Sequence, residues 1–326
     1  MKSHLYEFEA RDLLRLVGLP LIPVVLFAAL MHLGVAFRLL PEPRPTLDID
    51  RTILIHQAEA ARAPQDAELV LLGDSSCLMN VSGQQLGARL SLSTLNLGTF
   101  SYLDLNAHAA LLRAYTAANP GRLRSVVLLM HPEALRRNAP EPSYVRLLQS
   151  LLSDDRRAPA NRFDGNIARL LGTADLKERL WARAVPTPLP GAFGRRYGFN
   201  TDLEKFMTAE RGSVFDPEPR PFQGNAEYRL APPLQSASRA FRAALPAGVK
   251  LFAGITPVPA GFAPPGHAPR VTTLLEEWGR WLQADGLLAL PATLPDASFT
   301  KTTHLNETAV SAYTKILAGA LRPTLR

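Results

Sequence analysis

The aliphatic run Val70-Leu71-Leu72, cut off by Gly73-Asp74-Ser75-Ser76, constrains this chain more than any other feature. An unbroken apolar run of this length, with no polar residue alternating in it, reads as a strand buried on both faces. Such a strand needs helices above and below it. The same signature recurs as SVVLLM at 125–130, closed by His131-Pro132-Glu133, and as VKLFAGITP at 249–257. LSTLNLGTF at 92–100, ending at Gly98, and LLALP at 287–291 read as two more strands. Helical patterns separate them at 81–90, 102–118, 270–284 and 305–321, with a short amphipathic helix earlier at 51–63. Apolar strands alternating with helices give an α/β fold around a parallel sheet covered on both faces.

Residues 140–235 break this rhythm with prolines, charges and scattered aromatics, and read as a helical and irregular insertion, a lid or a docking surface. Before the first strand, residues 17–37 (VGLPLIPVVLFAALMHLGVAF) contain no Asp, Glu, Lys or Arg and are long enough to cross a bilayer as a helix. Pro20 and Pro23 lie near its start, where a helix tolerates them best. A cleaved signal peptide is the alternative, but its apolar core is usually shorter and no small-x-small site precedes Arg38. The charges flanking the span, Lys2, Arg11 and Arg15 against Arg38 and Arg44, bias the N-terminus slightly toward the cytoplasm. The expected order is therefore a cytoplasmic segment at 1–16, an anchor at 17–37, a linker and short helix at 38–64, and one exported domain at 65–326. Within the linker, LLPEPRPTLD at 39–48 is stiffened by three prolines.

The formal charge of +7 is carried mostly by scattered arginines, with no basic block interleaved with aromatics, so nucleic-acid binding is not expected. The excess fits either attraction to an acidic polymer or membrane surface, or plain composition. A single cysteine, Cys77, excludes an intrachain disulfide and a cysteine metal cluster. Cys77 is either a thiol in a first helical turn or a small buried filler. The seven histidines lack paired-ligand spacing, and there is neither a P-loop nor a dinucleotide glycine fingerprint, so no metal or cofactor is expected.

Gly73-Asp74-Ser75-Ser76 admits two readings. It is a capping turn, since Asp and Ser are favoured caps. Or it carries a nucleophile at the carboxyl edge of the sheet, beside the free N–H groups of the following helix, which stabilise an oxyanion. Strand-end geometry favours Ser75 over Ser76. Far along the chain, a loop delivers His304 immediately before the last helix, where it serves either as a cap or as a general base reaching back to a serine. Trp278 and Trp281, three apart on one helix, read as core or interface residues.

Taken in order, Gly73-Asp74-Ser75, Asn96-Leu97-Gly98 and Phe299 to Asn306 resemble the first, second and last sequence blocks of the SGNH/GDSL hydrolase superfamily, over about residues 65–135 and 248–322. The resemblance implies a three-layer α/β/α sandwich with a flavodoxin-like sheet. It makes Ser75 the nucleophile and His304 its base. The N–H groups of Ser75 and Gly98 would form the oxyanion hole, with His131 as a further donor in place of the family's usual Asn. The family's Asp three residues before the His is here Lys301, which cannot accept the imidazole N–H bond. Asp296 or a backbone carbonyl is the alternative nearby. One anchor joined to such a domain also resembles the accessory acyltransferases of bacterial cell-surface polysaccharides, as in alginate and cellulose acetylation. That resemblance implies an O-acyltransferase, in particular O-acetyl, in the bacterial inner membrane with its domain in the periplasm. A multi-span membrane acyltransferase would supply the acyl group and a polysaccharide would accept it. An esterase using the same residues and a catalytically silent export subunit are the two alternatives.

Overall fold

The computed structural model of the chain describes residue 12 and residues 14–37, 48–153, 186–224 and 227–325. Most of the segment expected at 1–16, the linker from 38 to 47 and residues 154–185 of the expected insertion lie outside the described residues. A π-helical turn, Leu14–Gly18, leads into helix α1, Leu19–Ala36, with Pro23 in its first turns. The stretch Arg15–Gly34 has a mean hydropathy of 2.3 and is long and apolar enough to span a membrane.

The second unit of the chain is built on a parallel sheet of five strands flanked by helices. Helix α2 (Ile49–Arg62) precedes β1 (Leu69–Gly73). Helices α3 (Ser75–Asn80) and α4 (Gly83–Leu90) lead to β2 (Thr94–Asn96), and α5 (Leu105–Ala118) leads to β3 (Ser125–Met130). Among the described residues, four helices come next: α6 (Pro132–Arg137), α7 (Pro142–Leu152), α8 (Gly191–Tyr197) and α9 (Asn200–Ala209). Then come α10 (Leu234–Ala243), β4 (Lys250–Ile255), β5 (Val258–Pro259), α11 (His267–Leu282), β6 (Gly286–Leu287) and β7 (Thr293–Leu294). A hairpin of β8 (Phe299–Lys301) and β9 (His304–Leu305) precedes the final helix α12 (Glu307–Leu321). The sheet order is β2-β1-β3-β4-β6, every pair parallel.

Period-two alternation feeds two separate cores. Val70, Leu72, Val126, Leu128, Leu251 and Ala253 face one, with Leu54, Leu111, Phe241 and Trp278 of α2, α5, α10 and α11. Leu69, Leu71, Val127, Leu129 and Phe252 face the other, with Leu86 of α4 and Val310, Tyr313 and Leu317 of α12. Both faces of each central strand are covered, which is why these strands carry no polar alternation. Trp278 is fully buried, whereas Trp281 packs at the margin of the first core.

The strand added after β1 lies on one side of it, and the next one lies on the other. The carboxyl ends of β1 and β3 therefore border a topological switch point, where open α/β sheets place their ligand crevice. Gly73 ends β1 there, opposite Leu129 of β3. Its φ is +150°, and a Cβ built on it would sit 1.7 Å from the Leu129 carbonyl oxygen. Gly73→Ala is accordingly expected to destabilise the domain by roughly 3 kcal/mol or more, by separating β1 from β3 or straining φ. Denaturant unfolding measures this; a loss below about 0.5 kcal/mol would contradict the close approach.

Candidate active site

Asp74, Ser75 and Ser76 form the turn at the carboxyl end of β1, and the structure gives each a different position. Asp74 is buried and caps α3: its Oδ1 accepts from Ser76 N (3.0 Å) and from Ser76 Oγ (2.6 Å). Its Oδ2 accepts from the N–H of His131 (3.0 Å), which ties the ends of β1 and β3 together. Burial pushes the Asp74 carboxyl up, and these hydrogen bonds pull against that. Ser76 is fully buried, and its hydroxyl also accepts from Thr256 Oγ1 at the end of β4 (2.8 Å). Ser76 is thus a structural link across three strand ends. Ser75 stays partly exposed beside it. The Ser75 N–H opens α3, a position no intrahelical carbonyl reaches.

His304 begins β9 and is 4 % exposed. Helix α3 packs on β9, and Asn80 at its far end fastens the two: Nδ2 donates to Thr303 O (3.0 Å) and Oδ1 accepts from Leu305 N (2.8 Å). The elements that carry Ser75 and His304 are therefore held side by side.

The carboxylate expected at Asp296 is not the partner of His304. Asp296 lies in a 3-10 turn, where its Oδ1 accepts from Gly261 N (2.8 Å). Instead Asp216, buried and 88 residues upstream, presents Oδ2 to His304 Nδ1 at 2.6 Å. The same oxygen pairs with Lys301 Nζ at 2.6 Å. Lys301 and His304 face each other across the β8–β9 hairpin, so one carboxylate reaches both. Lys301 and His304 thus share one buried carboxylate.

Asp216 belongs to the extended segment Asp216-Pro217-Glu218-Pro219-Arg220-Pro221, laced to its surroundings on each side. The Tyr197 hydroxyl donates to Phe215 O (2.8 Å) and accepts from Phe215 N (3.0 Å), and Glu218 N donates to Asp216 Oδ1 (2.9 Å). Arg220 N donates to Thr300 O (2.8 Å), while Thr302 Oγ1 accepts from Gln223 N and donates to Gln223 O, both at 2.7 Å. The tail of the expected insertion is therefore a strap that delivers a site residue.

The electrostatics fix the protonation states. Burial opposes charge on His304 and outweighs the attraction of Asp216, bringing its pKa down to about 4. Burial raises the Asp216 carboxyl, but the His304 hydrogen bond and the charges of His304 and Lys301 prevail and hold it well below the usual carboxylate range. At neutral pH the imidazole is uncharged, carries its proton on Nδ1 toward Asp216, and leaves the Nε2 lone pair free. His304 Nε2 is buried with no hydrogen-bond partner among the described residues.

The expected oxyanion donors divide. Gly98 does not offer its N–H: that group donates to Asn96 Oδ1 (2.9 Å), in a turn that ends β2. Asn96 in turn holds Cys77 O (2.9 Å) and Ser213 Oγ (3.0 Å) through Nδ2, so its role is to brace α3 and the strap. His131 keeps a free donor. Its Nδ1 accepts from Glu133 N (3.2 Å), which places the ring proton on Nε2, and Nε2 is buried without a partner among the described residues. Burial, then the charges of His304 and His267, lower its pKa to about 3, so the ring is neutral. Cys77 is buried, and burial drives its thiol well above the usual range, which leaves it the filler rather than an activated thiol.

A cavity of about 840 Å³ opens at the other, amino-terminal edge of the sheet, lined by Glu68, Arg124 and Lys250 among others. Its Asn119 side chain is committed to Gln65 N, Ala63 O and Tyr115 O, and Arg124 pairs with Glu68. Asp74, His131, Asp216 and His304, each with a shifted pKa, lie together at the carboxyl edge instead.

His304 accepts a proton only when neutral. A reaction that uses it as base should keep its acid limb near pH 4 rather than near 6.5. The Lys301 charge helps lower the His304 pKa, so Lys301→Met should move that limb of kcat/KM to higher pH. A pH–rate profile checks this; a limb that stays in place or moves down would contradict it. In comparison with known proteins, the chain matches no family model, no curated protein and no solved structure.

Proposed function

We propose that this protein is a membrane-anchored O-acyltransferase that passes an acyl group, in particular acetyl, from a donor to a hydroxyl of an exported polysaccharide through Ser75. The observation that carries the reading is the Asp216–His304 pair, with a free, buried Nε2 on an element packed against the helix that Ser75 begins. His304 Nε2 takes the Ser75 proton as Oγ attacks the acyl carbonyl, and returns it to the departing donor. The acceptor hydroxyl then attacks the acyl-serine, His304 takes its proton, and Ser75 Oγ leaves with that proton restored. Asp216 holds the imidazole in the tautomer this needs. The Ser75 N–H supports the oxygen of the tetrahedral intermediate.

The strand order β2-β1-β3-β4-β6 with a core on each face supports a flavodoxin-like, three-layer sandwich, and the ordered blocks around Ser75, Asn96 and His304 support kinship with the SGNH/GDSL superfamily. A lysine at position 301 is the best reason to read a silent subunit; the Asp216 carboxylate on His304 supports the catalytic reading instead. The polysaccharide acceptor is supported by a stacked aromatic pair, the exposed Tyr102 of the loop after β2 and the half-buried Tyr144 of α7. Tyr102, 43 % exposed, stacks on Tyr144 with centroids 5.1 Å apart and planes at 22°. The charge of Arg220 bears on both Tyr102 and His304, which supports a link between this pair and the chemistry. Helix α1 exposes apolar residues around its surface, Leu30 and Phe27 among them, and a bilayer is the environment that would cover them. The inner membrane, with the domain in the periplasm, is the arrangement that fits an exported acceptor.

The test uses the full chain in detergent micelles. Mixed with p-nitrophenyl acetate it should release p-nitrophenolate, and added oligosaccharide should gain acetyl at the expense of free acetate. Acetate alone, unchanged by any acceptor, would assign an esterase. Equal turnover in wild type and Ser75→Ala would remove both enzymes.

A further inference from the structure

Three buried polar atoms in one ring cluster have no hydrogen-bond partner among the described residues: His131 Nε2, Tyr228 Oη and His267 Nδ1. The rings touch in series. Tyr228 meets His131 edge-on, with centroids 6.3 Å apart and planes at 87°, and meets His267 at 5.4 Å and 64°. His131 follows β3, His267 begins α11, and Tyr228 comes from the strap that carries Asp216. His131 and His267 are 2 % and 4 % exposed, while Tyr228 is partly exposed, so the cluster lies just beneath the surface.

Leaving buried donors and acceptors unpaired is costly, roughly 1–3 kcal/mol each, so three together call for a partner, water or ligand. Their chemistry says which kind. The His131 proton sits on Nε2 because Nδ1 accepts from Glu133 N, so this atom is a donor. His267 Nε2 lies 3.3 Å from Ala292 O and must donate to it, so Nδ1 is an acceptor. Burial also lowers the His267 pKa, and both rings are neutral. The Tyr228 hydroxyl does either. A carboxylate, which only accepts, would leave His267 Nδ1 facing lone pairs. An ammonium, which only donates, would face the His131 proton. A hydroxyl accepts from one and donates to the other.

We propose that His131, Tyr228 and His267 form a subsite for a neutral sugar hydroxyl of the acceptor, beside the one that is acylated. The subsite rests on the acyl-transfer reading of Ser75 for its purpose, but its binding is measurable without any acyl donor. In this arrangement His131 serves the acceptor rather than the acyl oxygen.

Cellohexaose is the probe, titrated calorimetrically into the full chain in micelles. Wild type and Ser75→Ala should bind it alike. Tyr228→Phe, which removes one oxygen and keeps the ring, should weaken binding about tenfold, and His267→Ala at least as much. Unchanged affinity in Tyr228→Phe, as expected if a water alone fills the cluster, would overturn the subsite, as would no binding by wild type at millimolar sugar. Circular dichroism confirms that the variants are folded. Absence of p-nitrophenolate release by wild type would instead count against the Ser75 reading, so the two failures are distinguishable.

Discussion

Ser75→Ala should lower kcat/KM for p-nitrophenyl acetate by about 10⁴-fold or more, and His304→Ala by a comparable factor, because each leaves the other without its partner. The double variant should be scarcely worse than either single one, since the two groups act as a unit. Ser76→Ala separates this from a general effect of the turn. The Ser76 hydroxyl joins Asp74 Oδ1 to Thr256 Oγ1, so its loss should appear in stability, at about 1–3 kcal/mol, with turnover largely kept. If Ser76→Ala abolished turnover while Ser75→Ala retained it, the nucleophile would have been assigned to the wrong side of the turn.

Asp216→Asn should lower kcat by roughly 10³–10⁴-fold with little change in fold. The carboxylate now accepts from His304 Nδ1 and from Lys301 Nζ on one oxygen. An amide keeps the shape, but it can donate to Nδ1. That would move the ring proton to Nε2, where it blocks the base. Asp296→Asn is the matched control. Its carboxylate caps the Gly261 N–H, and turnover should stay within about twofold of wild type. Equal losses in the two variants would mean that Asp216 holds the strap rather than the imidazole.

The three interior strands were legible because they are buried on both faces, and the pattern around 125–130 matches Ser125–Met130 residue for residue. The edge strands were over-read. In the run at 92–100 the regular strand covers only Thr94–Asn96, although Leu97 N and Thr99 N still donate to Leu71 O and Gly73 O of β1 (both 2.8 Å), while the Asn96 side chain takes the Gly98 N–H between them. The run at 287–291 overlaps β6 (Gly286–Leu287) only at Leu287; Leu288 N still donates to Ala253 O (2.8 Å), and a bond from Leu290 N to Leu288 O at 2.9 Å bends the chain just beyond. The helix expected at 81–90 is α4 (Gly83–Leu90), opened by Ser82, whose Oγ accepts from Gln85 N; a separate short helix, α3 (Ser75–Asn80), precedes it. The hairpin bearing Lys301 and His304 had no strand signal, since its strands span only three and two residues.

At the site, the turn at Ser75 and the loop at His304 were readable because each sits where an element changes type. Asp216 was not readable. Its one local signal is that it opens an alternating proline run, which makes the segment stiff and extended. Nothing local says which of the acidic residues of a 326-residue chain such a segment will hold against an imidazole 88 positions away. Spacing within the last block drew attention to Asp296 because a partner nearby in sequence is the cheapest guess. The fold supplied the carboxylate through tertiary contact instead, using Tyr197, Thr300 and Thr302 to set the strap. Lys301 looked like a lesion for the same reason, and its pairing with Asp216 makes it a brace.

Covalent capture tests the central claim most directly. A fluorophosphonate reacts with a serine whose hydroxyl a neighbouring base deprotonates, and it leaves a stable adduct that peptide mass spectrometry locates. The full chain in micelles should carry a single adduct on Ser75, and the adduct should disappear in His304→Ala and in Asp216→Asn. A chain that remains unlabelled, or one labelled at another residue with Ser75 untouched, would contradict the account.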